Sequence, residues 1–208
     1  MLVPDGSSSP MPLGPAVPSP DGSAIPPRLR LALGPPLSNG AAMRLHLLRH
    51  AEAAPGIPDA GRALTERGRA QVDRMAELMD WSFVSGLKQV EHSGLVRARQ
   101  TAEQLLQRLG SKVPAQVRPG LRPNDEPVMI GLDLATCKED RFLVGHNPHL
   151  GRLAGLLLAR GGSEVALVVK KAGYLALERV RPADKENPFG QWALLWMISP
   201  GRLASRKE

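Results

Sequence analysis

From residue 43 onward the apolar residues keep changing period. Short strand-like runs alternate with stripes of helical spacing, and that alternation limits the chain to a small set of folds. Residues 43–48 form a short apolar run that ends at Arg49-His50. After Leu64-Thr65, an N-cap signal, Val72, Met75, Ala76 and Met79 recur at i, i+3, i+4 and i+7, the stripe of an amphipathic helix. A short extended segment around Gln89–Ser93 follows, then a second stripe through Ala98, Ala102, Leu105 and Leu109 that Gly110 stops. Residues 126–138 read as a third helix. Arg141–Val144 is a compact strand ending at Gly145-His146, and Leu150, Leu153, Ala154, Leu157 and Leu158 give a fourth helix closed by Gly161-Gly162. Three more strands are expected at Val165–Val169, Tyr174–Val180 and Trp192–Ile198.

Strand and helix in alternation predict right-handed crossovers, hence an α/β fold: three layers, α/β/α, around a mainly parallel sheet. In such sheets ligands bind outside the carboxyl ends of the strands. Arg49-His50, Ser93 and His146 each follow an expected strand. Three separate segments thus deliver polar side chains to one sheet edge.

The first 42 residues break this pattern. They hold half of the twenty prolines, with Gly, Ser and Ala between them, and four charged side chains, Asp5, Asp21, Arg28 and Arg30. Such a segment buries too little apolar surface to offset its ordering entropy, so 1–42 is expected to be disordered. The folded domain is expected over 43–200, with 201–208 a C-terminal tail. The net charge of +7 favours acidic or phosphorylated partners. The arginines are scattered and aromatics are only 3% of the chain, which argues against nucleic acid as the partner. A single cysteine, Cys137, excludes an intrachain disulfide and fits a reducing compartment. It stands near the end of the expected third helix and is read as a small packed residue. No apolar run approaches the roughly 18–20 residues of a membrane span, and the start lacks the pattern of a secretory signal. The expectation is a cytoplasmic protein with no membrane partner.

The five histidines sort by position. His46 and His92 lie within strands and read as core or sheet-face residues. His149 falls in the first turn of a helix, as a supporting or exposed residue. His50 and His146 stand at strand ends. His50-Ala51-Glu52 matches the H-x-E of zinc deaminases, but the cysteine pair that chemistry requires is missing. No HExxH, P-loop or G-x-S-x-G pattern is present. No metal and no cofactor are therefore expected. What remains is arginine with histidine. A guanidinium fork matches phosphate oxygens and stays charged. A neutral imidazole is a nucleophile near pH 7 and can carry a phosphoryl group. Phosphoryl transfer is chiefly positioning and charge stabilisation.

Three motifs in order carry a resemblance. Arg49-His50 after the first strand, Ser93-x-x-x-Arg97-Ala98-x-x-Thr101-Ala102 opening a helix, and Gly145-His146 after a later strand resemble the histidine phosphatase superfamily, the phosphoglycerate mutase-like fold. The match runs from Met43 to about Pro200. Arg49-His50-Ala51-Glu52-Ala53 and Leu64-Thr65-x-x-Gly68 look like the R-H-G-x-A and L-T-x-x-G boxes of the small SixA-type phosphohistidine phosphatases, with Ala51 in place of the glycine. The resemblance implies that His50 is the nucleophile, that Arg49 and Arg97 clamp the phosphoryl oxygens, and that His146 completes the pocket. Ser93 and Asn147 join Arg49, Arg97 and His146 as expected substrate contacts, and Glu52 as a catalytic candidate.

Members of the superfamily that act on phosphate esters carry an acid in an L-x-E stretch. The corresponding place here reads Leu121-Arg122-Pro123. An ester leaves as an alkoxide and needs a proton donor; phosphohistidine can leave as neutral imidazole. The expected activity is therefore metal-independent removal of phosphoryl groups from phosphohistidine on a protein, such as a phosphotransfer domain, releasing phosphate. Two alternatives stand beside it. One is a broad or small-molecule phosphomonoesterase with Glu52, Asp125 or Glu126 as acid. The other is a non-catalytic phospho-binding or adaptor module. Lys170-Lys171 are candidates for the site's edge.

Overall fold

The computed structural model describes residues 43–79, 84, 86–161 and 167–200; the Pro-rich segment 1–42 and the tail 201–208 lie outside them. Among the described residues six strands form one sheet: β1 (Met43–Arg49), β2 (Val90–His92), β3 (Ala115–Val117), β4 (Arg141–Gly145), β5 (Tyr174–Arg181) and β6 (Gln191–Ile198). Their order is β3-β2-β4-β1-β5-β6. β1, β2, β3 and β4 are mutually parallel where they pair, and β5 and β6 run antiparallel. The sheet is mixed, with its parallel half built by the first four strands.

Among the described residues four α-helices cover it: α1 (Glu66–Leu78), α2 (Val96–Arg108), α3 (Val128–Thr136) and α4 (His149–Leu158). On one face Val72, Met75, Ala98, Ala102 and Leu105 of α1 and α2 pack with Leu48, Phe142 and Val144 of the sheet. On the other, Ile130, Leu134, Leu150, Leu153 and Leu157 of α3 and α4 meet Leu45, Leu47, Leu143 and Leu175. These are the stripes of helical spacing, and burying them on two sheet faces produces the three layers.

Helix ends follow local chemistry. The Thr65 side chain caps α1 by accepting from Gly68 N at 2.9 Å. Gly110, at φ +65°, takes the left-handed conformation just after α2. α3 is shorter than the expected 126–138, because Pro127 stands at its N-cap and Cys137 leaves the helical conformation.

One expected strand is absent. Leu167–Val169 have no strand assignment, and Val165 and Ala166 lie outside the described residues. The reason is tertiary. The Val169 carbonyl, which a ladder would use, instead accepts from Arg49 Nη1 and Asn147 Nδ2, each at 2.8 Å. β3 was not foreseen; it is three residues long, on the sheet edge, with two of them exposed.

Candidate active site

The register of the parallel strands sets three strand ends level. Arg49 pairs with Gly145 across β1 and β4, and His92 pairs with Val144 across β2 and β4. The residues that follow, His50, Ser93 and His146, therefore emerge side by side at the carboxyl edge. The His50 and His146 rings stand 4.8 Å apart between centroids, tilted by 50°.

His50 is 8% exposed, and its Nδ1 lies 2.7 Å from the Ala51 carbonyl. A carbonyl can only accept, so Nδ1 carries the hydrogen and Nε2 holds the lone pair. Burial, opposed in part by the Ala51 hydrogen bond and reinforced by Arg97, Arg49 and Lys171, pushes the His50 pKa down to about 4. His146 is buried, with Nε2 2.6 Å from Ser93 Oγ. Burial first, then His50 and Arg97, push its pKa down to about 2. Both imidazoles are neutral at pH 7, and the His50 tautomer is the one a nucleophile needs.

The arginines are held from outside. Arg49 donates through Nη1 to the Val169 carbonyl, and burial lowers its pKa from the ordinary arginine value. Arg97 opens the buried face of α2 and donates through Nη1 to the Asp59 carbonyl (2.8 Å) and through Nη2 to Asp59 Oδ2 (2.9 Å). The α2 turn that carries it is tied back to the β1 tip: Ala51 N donates to Thr101 Oγ1 at 3.1 Å, and Thr101 Oγ1 donates to the Arg97 carbonyl at 2.7 Å. Asn147 sits beside Arg49 on the shared Val169 carbonyl.

Glu52 is drawn elsewhere. Its Oε1 accepts from Thr65 Oγ1 at 3.1 Å, and its Oε2 lies 3.7 Å from Arg67 Nη1 and 3.6 Å from Lys171 Nζ. Its contacts tie the β1 tip to the α1 cap and to the 167–173 segment. Lys171 thus borders the site, as its position suggested. Asp125 Oδ2 accepts from Arg122 N, and Glu126 pairs with Arg152 at 2.7 Å. His149 is fully buried at the start of α4, not exposed. Asp59 is the residue that sequence reasoning missed. It lies in a Pro- and Gly-rich stretch with no periodicity, and nothing local announces that it meets a side chain 38 residues away. Among the described residues no group of three or more His, Cys, Asp or Glu side chains is arranged to hold a metal ion. No helix among them is long and apolar enough to cross a membrane.

The depressed histidines make stability depend on pH. His46, buried against Phe142, is pushed down to about 3 by burial and then by Arg44, alongside His50 at about 4 and His146 at about 2. Each has an ordinary value of 6.5, so the unfolded chain binds more protons than the native one as pH falls below 6.5. Stability therefore declines from pH 6.5 downward, and the loss is complete only below the folded values. The urea midpoint is expected to be clearly lower at pH 5.0 than at pH 7.5. Equal midpoints would contradict the neutral histidine pair.

The family model of the histidine phosphatase superfamily (branch 1) matches residues 45–144, the stretch that carries Arg49, His50 and Arg97. No curated protein sequence matches the chain. Among solved structures, the protein histidine phosphatase SixA complexed with tungstate superposes with a TM-score of 0.62 at 23% identity, covering 77% of this chain and 99% of that one. A candidate phosphohistidine phosphatase SixA from Agrobacterium tumefaciens gives 0.58 at 21% identity, covering 76% and 98%. A candidate α-ribazole-5′-P phosphatase from Escherichia coli gives 0.54 at 18%, covering 76% and 97%. At these identities the likeness is one of fold. The family model and the solved structures together show that this chain is similar in fold to the histidine phosphatase superfamily, branch 1, with the match over residues 45–144, which carry Arg49, His50 and Arg97.

Proposed function

We propose that the protein is a metal-independent phosphohistidine phosphatase acting on a phosphorylated protein, with His50 as the covalent carrier. The observation that carries the reading is the His50 Nδ1 contact with the Ala51 carbonyl, which leaves Nε2 free beside His146 and Arg97. In the first step Nε2 attacks phosphorus, the substrate's N–P bond breaks, and its electron pair leaves on an imidazole protonated at the other nitrogen. Arg49 and Arg97 hold the phosphoryl oxygens, and His146 and Ser93 supply hydrogen bonds to them. In the second step water attacks the phosphorus, the P–Nε2 bond breaks, and inorganic phosphate leaves. Cytoplasmic action on a phosphotransfer-type protein is part of this reading.

The choice of an N–P bond rests on the carboxylates. An ester's alkoxide needs a proton donor. Glu52, Asp125 and Glu126 are each occupied by cations or N–H and O–H donors. Asp59 is held below the usual carboxylate range, first by its hydrogen bond from Arg62 and then by that from Arg97. Asp59 is thereby an acceptor, not an acid.

The test compares substrates. A histidine-phosphorylated phosphotransfer protein and an aryl phosphate are each followed for phosphate release, with EDTA present. The phosphoprotein is expected to turn over at least about tenfold more efficiently in kcat/KM, roughly the benefit of a missing general acid at its low end. Preference for the aryl phosphate would overturn the substrate class. Loss of activity in EDTA would overturn metal independence.

A further inference from the structure

Between β1 and α1 the chain loops out after His50 and returns to Arg97 through Asp59. The loop's ends are pinned together: Ala53 bridges Leu64, and Ala54 N donates to the Ala63 carbonyl at 2.8 Å. Residues 55–61 between them are all exposed. The short 3-10 turn Asp59–Gly61 then delivers Asp59 to Arg97. Asp59 accepts from both terminal nitrogens of that guanidinium, one through its carbonyl and one through Oδ2. Its other oxygen, Oδ1, accepts from Arg62 Nη1 at 2.9 Å, and Arg62 Nε donates to the Ala54 carbonyl at 2.7 Å. A continuous polar chain runs from Ala54 through Arg62 and Asp59 to Arg97.

The two ends of the pair differ. The Asp59 side chain is 59% exposed, while that of Arg97 is 5% exposed. An ion pair that is exposed at both ends contributes little. A nearly buried guanidinium is another matter, because its orientation is set by whatever accepts its hydrogens. The group has five N–H bonds in a rigid plane. Asp59 engages one on Nη1 and one on Nη2, which fixes the plane and leaves Nε–H and one hydrogen on each terminal nitrogen for another acceptor.

We propose that Asp59 is the positioning residue of the phosphate clamp: it grips the Nη1 and Nη2 end of Arg97 and turns the remaining N–H groups toward the phosphoryl oxygens. This rests on the proposed function for its substrate, but not for its phosphate-binding arm. A carboxylate in this place has two effects of opposite sign. It orients Arg97, which favours the phosphoryl group, and it adds a negative charge near an anion site, which opposes it. The charge does not make it an acid, since Arg62 and Arg97 keep the carboxyl ionised.

Two substitutions separate the effects. Asp59→Asn keeps an oxygen acceptor for Nη2 and removes the charge. Asp59→Ala removes both. Binding of inorganic phosphate to the full chain is measured by calorimetry, and turnover of the phosphohistidine protein alongside it. Asp59→Asn is expected to bind phosphate about threefold to tenfold more tightly and to stay within about threefold of wild type in kcat/KM, since a largely solvent-exposed carboxylate opposes a nearby anion only through a high effective dielectric. Asp59→Ala is expected to lose at least about tenfold in kcat/KM, with phosphate bound more weakly, as for a misaligned catalytic group. Tighter phosphate binding and faster turnover in Asp59→Ala would overturn the proposal, because Asp59 would then be a competitor for Arg97. So would equal losses in both variants, or wild-type values in both, or no phosphate binding by the wild type. If the wild type binds phosphate but leaves phosphohistidine intact, the proposed function fails while the binding comparison still decides the role of Asp59.

Discussion

His50→Ala is expected to stay folded and to lose turnover of the phosphorylated protein by roughly 10³–10⁶-fold, the range seen when a covalent nucleophile is removed. The size follows from the site's economy. On the proposed mechanism the flanking arginines and His146 would still bind the phosphoryl group, but its covalent carrier would be gone. The fold should tolerate the change. Among the described residues the ring's hydrogen bond is to the carbonyl of the next residue, and the backbone N of His50 keeps its 2.9 Å bond to the Gly145 carbonyl. Thermal unfolding is expected within a few degrees of wild type, from a change of about 1–2 kcal/mol. Acid-labile label from a phosphorylated substrate should accumulate on the wild type after rapid quenching and be missing from the variant. Undiminished turnover in His50→Ala would remove the mechanism altogether.

Gly68→Ala is expected to damage both stability and activity, against the usual sign of a helical Gly-to-Ala change. At an open helical site alanine is favoured by about 1 kcal/mol. Here a Cβ would stand 2.0 Å from the Glu52 carbonyl oxygen and 2.9 Å from its carbon. Neither side can yield cheaply. Thr65 N donates to that same carbonyl at 3.1 Å, and Gly68 N is itself bonded to the Thr65 cap. The helix start would be forced away from a segment two residues beyond His50. A cost of about 3 kcal/mol is expected, lowering the melting temperature by roughly 6–12 °C, together with a loss of turnover as the β1 tip shifts. Gly86→Ala, where a Cβ meets nothing within 4 Å, is the control and should change little. A stabilised Gly68→Ala would show that the α1 contact is loose.

The parts of this molecule that the chain states locally were legible without coordinates. The helix stripes, the Thr65 cap and the placement of Arg49, His50 and His146 after strands all depend on spacing along the chain. What escaped depends on partners far away. Asp59 has meaning only because Arg97 lies across the loop from it. Val168 and Val169 read as strand by composition, yet Val169 turns its carbonyl to two site residues and Val168 is exposed. Glu52 pairs with Arg67, one of the roles its sequence position allowed, and its contacts with Thr65 and Lys171 come from segments distant in the chain. β3 is too short to show an alternation.

β1 comes first among the described strands but lies inside the sheet, between β4 and β5. Its neighbours begin at Arg141 and Tyr174, and the bond that orients Arg49 joins residues 120 apart. A chain emerging from the ribosome therefore presents His50 long before the residues that pack around it have been made. Contacts of such sequence separation close slowly, because loop entropy is lost before they form. The surroundings of His50 in this architecture are therefore completed late in synthesis.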